Sequence, residues 1–431
     1  MAVLSLIFLV LVLVLGVVSF TGMTTDLLVL GFWKKVNMGY LAMGAALILG
    51  RIGGVADKAI ISSFNTSLFV SLIGPAFLFS MAVNNGTIDL LAKKILRLAG
   101  KSTHIVPLLI ALLTFALSAL GCGNIPTFAI LLPLSIVIAL ELGIDAIAMA
   151  LIVTVSCNLG CMSPVSNAGI ILTNLIAETQ FAGQYSWEIF GNACIAWLIS
   201  VLAFYFIYKL YKPNAEKLEM FKDLPKFDKK QKLTLVACAA VVIVVFAFGV
   251  NIGLAAPLAA VILVIFGVAN DKAAIKIMPW GTYILVCGVS MLMAVVKTLG
   301  GVDLLVDGLT SVMSTHTVNP IISLASGILS WFSSTTGVVM PTMIPTVPGI
   351  METFPNISYS AVICGITITS FFAAYSPAST GGAGVLAQYS IFNKEASEQD
   401  SNKLFIRLFL TSVVAVIASV VLSAIGVFNI F

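Results

Sequence analysis

Four short stretches of this chain place hydroxyl, amide and glycine groups in apolar surroundings. They are GCGNIPTF at 121–128, NLGCMSPVSNAG at 158–169, SSTTGVVMPT at 333–342 and AAYSPASTGGAG at 373–384. A helix in lipid satisfies its backbone groups internally, and unwound backbone at that depth survives only inside protein or against a water-lined cavity. Such a break presents carbonyls beside Ser, Thr and Asn oxygens, a donor set that suits a hard cation such as Na⁺. A half-helix that starts after a break turns free N–H groups and a partial positive charge toward the gap, which suits a carboxylate or another anion. Pro164 and Pro377 are expected where those half-helices begin, since proline is at home in a first turn. A lone Ser-Pro in a span is a kink; two, each matched by a glycine-bearing hairpin tip, point to a binding site.

Other chemistry is poorly provided for. The apolar segments hold almost no carboxylate, so an intramembrane proton relay is not expected; coupling to Na⁺, or a proton carried on the substrate, fits better. No Glu/His/Asp cluster sits at membrane depth, which speaks against an enzyme, and occluding hairpins suit alternating access rather than a channel. The seven cysteines (122, 157, 161, 194, 238, 287 and 364) all fall in apolar segments and read as buried thiols, with neither a disulfide framework nor a metal site indicated. Lys297 is the one lysine well inside an apolar span; it is either a counter-ion for an anionic substrate or a lysine snorkelling from a helix end. Arg51 reads as interfacial. His104 and His316, the only histidines, each follow Ser-Thr and precede a proline, the pattern of a helix start; a pH-sensing role is the alternative.

The elements that must position these stretches are membrane spans. The 431 residues are 60% hydrophobic and 9% charged, with mean hydropathy +1.12. Apolar runs of about 20 residues, enough to cross a bilayer, recur throughout, giving an all-α polytopic membrane protein of the cell membrane. The net charge of +4 marks topology rather than nucleic-acid binding, because the lysines cluster in loops. Lys34–Lys35, the basic run 93–101, the lysine-rich linker 211–232, Lys272–Lys276 and Lys394–Arg407 read as inside; Glu178, Glu188, Asp303 and Asp307 read as outside. The first apolar run lacks the marks of a cleaved signal. Residues 2–33 hold one span or two, which leaves the N-terminus outside or inside and the total at 10 or 11.

The two halves repeat. Asn37-Met38-Gly39 and Asn251-Ile252-Gly253 lie 214 residues apart, as do Asp57-Lys58 and Asp271-Lys272, and Asp89-Leu90-Leu91 and Asp303-Leu304-Leu305. Ser-Thr-His at 102–104 and 314–316, Pro-Thr at 126–127 and 341–342, and Ser-Pro-x-Ser at 163–166 and 376–379 keep nearly the same offset. The matched loops 93–101 and 303–316 differ in charge character, so the repeats are expected to be inverted, a recurring plan of secondary transporters. The first unit is placed at 1–210, with a hairpin at 104–142 and a broken helix at 145–174. The second is at 233–431, with a hairpin at 317–351 and a broken helix at 357–390. The apolar and basic residues of 84–100 suggest an amphipathic helix on the membrane surface, with a partner at 301–313; such arms could link a mobile unit to a fixed one.

FSMAVNNGTIDLL (79–91), KVNMGYLA (35–42) and the Ser-Pro-x-Ser at 163–166 resemble the MatC-type dicarboxylate carriers of the ion transporter superfamily, relatives of the divalent anion/sodium symporters. The resemblance implies a homodimeric elevator carrier with a sliding unit of hairpins and broken helices. It implies substrate contacts at Asn124, Pro126, Thr127, Ser166 and Asn167 in one half-site and at Thr335, Thr336, Thr342, Ser379 and Thr380 in the other, with Pro341 at the second tip. It implies Na⁺ near Gly123, Asn124, Gly160, Ser163, Ser334, Ala374 and Ser376. The tips read Gly123-Asn124-Ile125 and Ser334-Thr335-Thr336 instead of the Ser-Asn-Thr of the sodium/dicarboxylate branch. The expected cargo is a small organic anion of the C3–C4 dicarboxylate class, such as malonate or succinate, carried with Na⁺. A proton-coupled carrier and the membrane subunit of a tripartite, binding-protein-dependent system are the alternatives.

Overall fold

The computed structural model describes residues 1–21, 37–97, 102–183, 186–213, 224–331, 333–377, 379–392 and 398–430. The expected short span near 24–33 and most of the linker lie outside the described residues, which are helical without a strand.

The first half runs α1 (Ala2–Thr21), α2 (Met38–Gly53), α3 (Asp57–Ser62), α4 (Thr66–Asn84), α5 (Thr87–Arg97), α6 (Val106–Leu117), α7 (Asn124–Leu142), α8 (Ala146–Gly160), α9 (Asn167–Ala177) and α10 (Ser186–Ile207). The second runs α11 (Lys229–Phe248), α12 (Ile252–Ile265), α13 (Asp271–Ile277), α14 (Trp280–Thr298), α15 (Gly301–Thr310), α16 (Val318–Trp331), a distorted arm with α17 (Met340–Met343) and α18 (Val347–Thr353), then α19 (Tyr359–Ala373), α20 (Thr380–Phe392) and α21 (Glu398–Ala424). Five described helices, or six counting one bent pair, are long and apolar enough to cross a membrane; the broken elements supply shorter apolar helices.

Local sequence starts these helices alike in both halves. Asn37 and Asn251 cap α2 and α12, each accepting the N–H of a glycine two residues on, at 2.8 and 2.7 Å. Asp145 and Ser358 cap α8 and α19, accepting the N–H of Ala148 and Ala361. Each cap takes up a donor that the helix start leaves free.

Two of the most extensive helix contacts cross between the halves. Helix α2 packs on α14, and α12 packs on α4. Glycines make the first crossing possible: a Cβ on Gly39 would lie 2.2 Å from the Ile284 carbonyl oxygen, and one on Gly288 would lie 2.2 Å from that of Gly39. At the second, a Cβ on Gly253 would lie 2.6 Å from the Ser71 Cα, and one on Gly74 would lie 2.5 Å from the Gly253 carbonyl oxygen. Gly39 and Gly253 are 214 residues apart, and so are Gly74 and Gly288. Close backbone approach through small residues is how helices associate where lipid removes the hydrophobic drive. Further out, α5 carries a Lys93–Asp89 pair at 2.8 Å and apolar residues on its inner side, while α15 meets α14 at 83°.

Candidate functional site

In each half the helix before the first interruption is clasped to the helix that ends at the Ser-Pro break. In the first half α6 ends in a wide turn over Ser118–Cys122, and the chain reverses through Gly121 (φ 107°) and Gly123 (φ 79°), left-handed conformations that favour glycine. The Ser118 hydroxyl donates to the Cys157 carbonyl at 2.7 Å. In the second half the Ser330 hydroxyl donates to the Ser370 carbonyl, also at 2.7 Å. Neither serine stood out in the sequence, since a serine in an apolar helix carries no distinguishing neighbour pattern.

The two breaks close on themselves in the same way. Ser166 N–H donates to the Ser163 carbonyl at 2.8 Å, and Gly169 N–H to that of Cys161 at 3.0 Å. Ser379 N–H donates to Ser376 at 2.9 Å, and Gly382 N–H to Ala374 at 2.9 Å. A Cβ on Gly169 or Gly382 would lie 2.0 or 2.3 Å from the carbonyl oxygen of Ser163 or Ser376, so glycine is required at both places. Pro164 and Pro377 precede the half-helices rather than starting them: α9 and α20 begin three residues later, at Asn167 and Thr380. The reason is the Ser-x-x-Ser turn, which uses up one more residue pair before the helix can propagate.

Of the residues expected in the first half-site, Gly123, Asn124, Ser166 and Asn167 come together. The Asn167 amide donates to the Asn124 side-chain oxygen at 2.9 Å and accepts the Asn124 N–H at 3.4 Å. Asn158, not anticipated, accepts from the Asn124 amide at 3.5 Å. The Ser166 hydroxyl donates to the Ser118 carbonyl at 2.6 Å, tying the break to the tip. Pro126 joins Gly123, Asn124 and Asn167 around a cavity of about 20 Å³, which Pro75 and Tyr283 also line. That space fits one water or a small ion. Thr127 and Ser163 are buried beside it in sequence. Gly160 sits where a Cβ would lie 2.6 Å from the Phe115 carbonyl oxygen, and its own carbonyl accepts the Ser163 N–H at 3.1 Å.

The second half-site is built of hydroxyls. Thr335 shares a hydrogen bond with Ser330 at 3.1 Å and donates to the Ser370 carbonyl at 3.1 Å. Ser334 accepts the Gly337 N–H at 3.2 Å and lies 3.5 Å from the Thr336 hydroxyl. Thr342, Ser376 and Ser379 are buried, and the Thr342 hydroxyl has no hydrogen-bond partner among the described residues. Thr380 opens α20. The carbonyls of Gly160, Ser163, Ala374 and Ser376 each already accept a backbone N–H, leaving one lone pair apiece for any cation. The halves therefore differ in chemistry: where the offset sets Phe371 against Asn158 and Thr380 against Asn167, amides are replaced.

A second cavity of about 800 Å³ reaches the second hairpin from one side, with Pro341, Pro345 and Pro348 on one wall and Ser290 and Met293 on the other. Its mouth is charged by Glu178, Lys297, Asp303 and Glu352, and Asn65 donates to Glu178 there at 3.1 Å. Lys297 is not deep in its span: it lies exposed in the last turn of α14, because the helix ends at Thr298 and turns sharply into α15. Arg51 pairs with Asp57 at an exposed helix end, as an interfacial residue does.

Residues 28–369 match the CitMHS family model, described as citrate transporter. No curated protein sequence matches this chain. Among solved structures the chain resembles the YdaH transporter of Alcanivorax borkumensis, with TM-score 0.60, 13% identity, and 99% of this chain and 98% of that one covered. It also resembles MtrF of Neisseria gonorrhoeae, reported with a class of antimetabolite efflux pumps, with TM-score 0.59, 13% identity, and 98% and 94% covered. At such identities the likeness concerns the fold.

Proposed function

This chain belongs to the citrate transporter family, and from that membership we propose a Na⁺-coupled symporter of small organic polycarboxylates, from C3–C4 dicarboxylates such as malonate and succinate to citrate. It is a multi-pass membrane protein and a secondary transporter, not an enzyme. The observation that carries the finer reading is the pair of clasped tips, each joining a hairpin to a break through the same serine-to-carbonyl bond. Such tips offer amide and hydroxyl groups to an anion without a fixed opposite charge, so binding stays reversible, and their oxygens suit a cation that neutralises part of the cargo. The MatC-type preference for dicarboxylates remains part of this proposal, as do the inverted relation of the halves and the homodimer.

In this reading the two hairpins, α8–α9 and α19–α20 slide as one unit against α2, α4, α12 and α14. The exchanged packing of α2 on α14 and α12 on α4 supports a rigid scaffold of two related halves. The 800 Å³ cavity is then the vestibule on the side the charge pattern assigns to the outside, and the first tip is the opposite gate.

Uptake of labelled citrate, malonate and succinate into proteoliposomes tests the proposal, with an imposed Na⁺ gradient, a proton gradient, or neither. Stimulation by the Na⁺ gradient is expected for at least one of the three. Uptake no greater than in protein-free liposomes under every gradient overturns it.

A further inference from the structure

Away from the tips, a groove of about 660 Å³ opens between α10, α21 and the second break. Ala203, Leu410, Val414 and Ala418 make its apolar sides. Leu410 and Val414 are 57% and 66% exposed, on a surface that in a membrane protein meets lipid rather than water. The floor is aromatic. Phe204 and Phe372 flank Tyr375, with ring centroids 5.8 and 6.3 Å away. Tyr375 is 1% exposed, lines the groove, and its hydroxyl has no hydrogen-bond partner among the described residues.

One end of the groove is basic. Lys403 and Arg407 stand one turn apart on α21 and both line it, beside Tyr208. Arg407 donates to Asp145 at 2.6 Å and lies over the Tyr208 ring at 5.1 Å, which fixes the guanidinium at the groove's edge. Lys209 and Lys212, just past the end of α10, lie at the same end of that helix as Tyr208. A long apolar slot open to the bilayer and ending in two basic side chains is complementary to one ligand, an acyl chain joined to an anionic headgroup. Basic pockets between spans recognise anionic lipid headgroups through the same charge pairing.

We propose that this groove binds an anionic phospholipid, with an acyl chain between α10 and α21 over Phe204, Phe372 and Tyr375, and its phosphate at Lys403 and Arg407. The bound chain presses on Tyr375, the residue before Ser376, so it buttresses the second break from behind without touching cargo. The site stands apart from the hairpin tips and does not depend on which anion is carried.

Native mass spectrometry of the full chain, delipidated in detergent, tests this with phosphatidylglycerol and phosphatidylcholine of identical acyl chains. Phosphatidylglycerol binds more tightly, and the preference shrinks as salt rises. Lys403→Gln, a change at an exposed side chain, weakens phosphatidylglycerol binding by about fivefold and leaves phosphatidylcholine unchanged. Ala418→Phe, which fills the groove from its open side, removes the preference. Glycerol phosphate added in excess does not displace the lipid, since it lacks the chain. Equal binding of the two lipids, a preference that survives both substitutions, or displacement by glycerol phosphate overturns the proposal.

Discussion

Asn167 is where the candidate site is most open to a single-residue test. Its amide donates to Asn124 at 2.9 Å, its oxygen receives the Asn124 N–H, and a Cβ on Gly123 would lie 3.2 Å from that oxygen. Asn167→Ala leaves the half-buried Asn124 without either contact. A lost hydrogen bond that strands its partner costs about 1–2 kcal/mol. If that cost falls on the ordered tip, the binding-competent state is depopulated and the apparent Kd for cargo rises about 5- to 30-fold. Asn167→Asp is the sharper variant. Asp also lacks the donor to Asn124. A carboxylate in the first turn of α9, however, favours the helix by a few tenths to about 1 kcal/mol and offsets part of that loss, while it faces any bound anion with a full negative charge. The assay is the rise in melting temperature of the purified protein with citrate or succinate, in Na⁺ or in choline. The expected result is a reduced shift for Asn167→Ala and none for Asn167→Asp, with the unliganded melting temperature of the Asp variant no lower than that of the Ala variant. An Asp variant that keeps its anion-dependent shift and binds Na⁺ more tightly would reassign this position to the cation. An Ala variant with unaltered shift and uptake would refute the placement of the site at this tip.

Three further outcomes follow from the same geometry. Gly288→Ala and Gly253→Ala each force a methyl against backbone of the crossing helix and lower stability by about 1–3 kcal/mol, whereas Gly44→Ala, whose Cβ meets nothing within 4 Å, is neutral or stabilising in the same thermal melts. Ser166→Ala loses the bond to the Ser118 carbonyl and lowers both the melting temperature and the cargo-induced shift; Ser379→Ala reduces chiefly the shift, and no effect from either would misplace both half-sites. Lys297→Gln, at the vestibule mouth, raises the KM for a polycarboxylate by about two- to fivefold at low salt with little change in kcat, and the difference fades at high salt.

The sequence by itself determined that this chain is a polytopic helical membrane protein, and it marked 121–123, 161–166 and 374–379 as places where one helix stops before the next begins. Those features are local: apolar run length, glycines that permit a reversal at 121 and 123, and Ser-Pro-x-Ser turns that no helix continues through. The internal offset, from Asn37 and Asn251 to Ser166 and Ser379, was legible for the same reason, since matching turns need matching residues. In sequence Lys297 stays open between a counter-ion and a lysine near a helix end, and the end of α14 at Thr298 puts it in the last turn. Only the tertiary structure decided which helices cross, and hence that Gly39 meets Gly288 while Gly253 meets Gly74. It also decided that Ser118 and Ser330 clasp the breaks, that Asn158 joins Asn124 and Asn167, and that Tyr375 floors a groove open to lipid. Each of these contacts joins residues dozens to hundreds of positions apart, and a serine, glycine or asparagine carries no mark in its neighbours of the distant backbone it will meet.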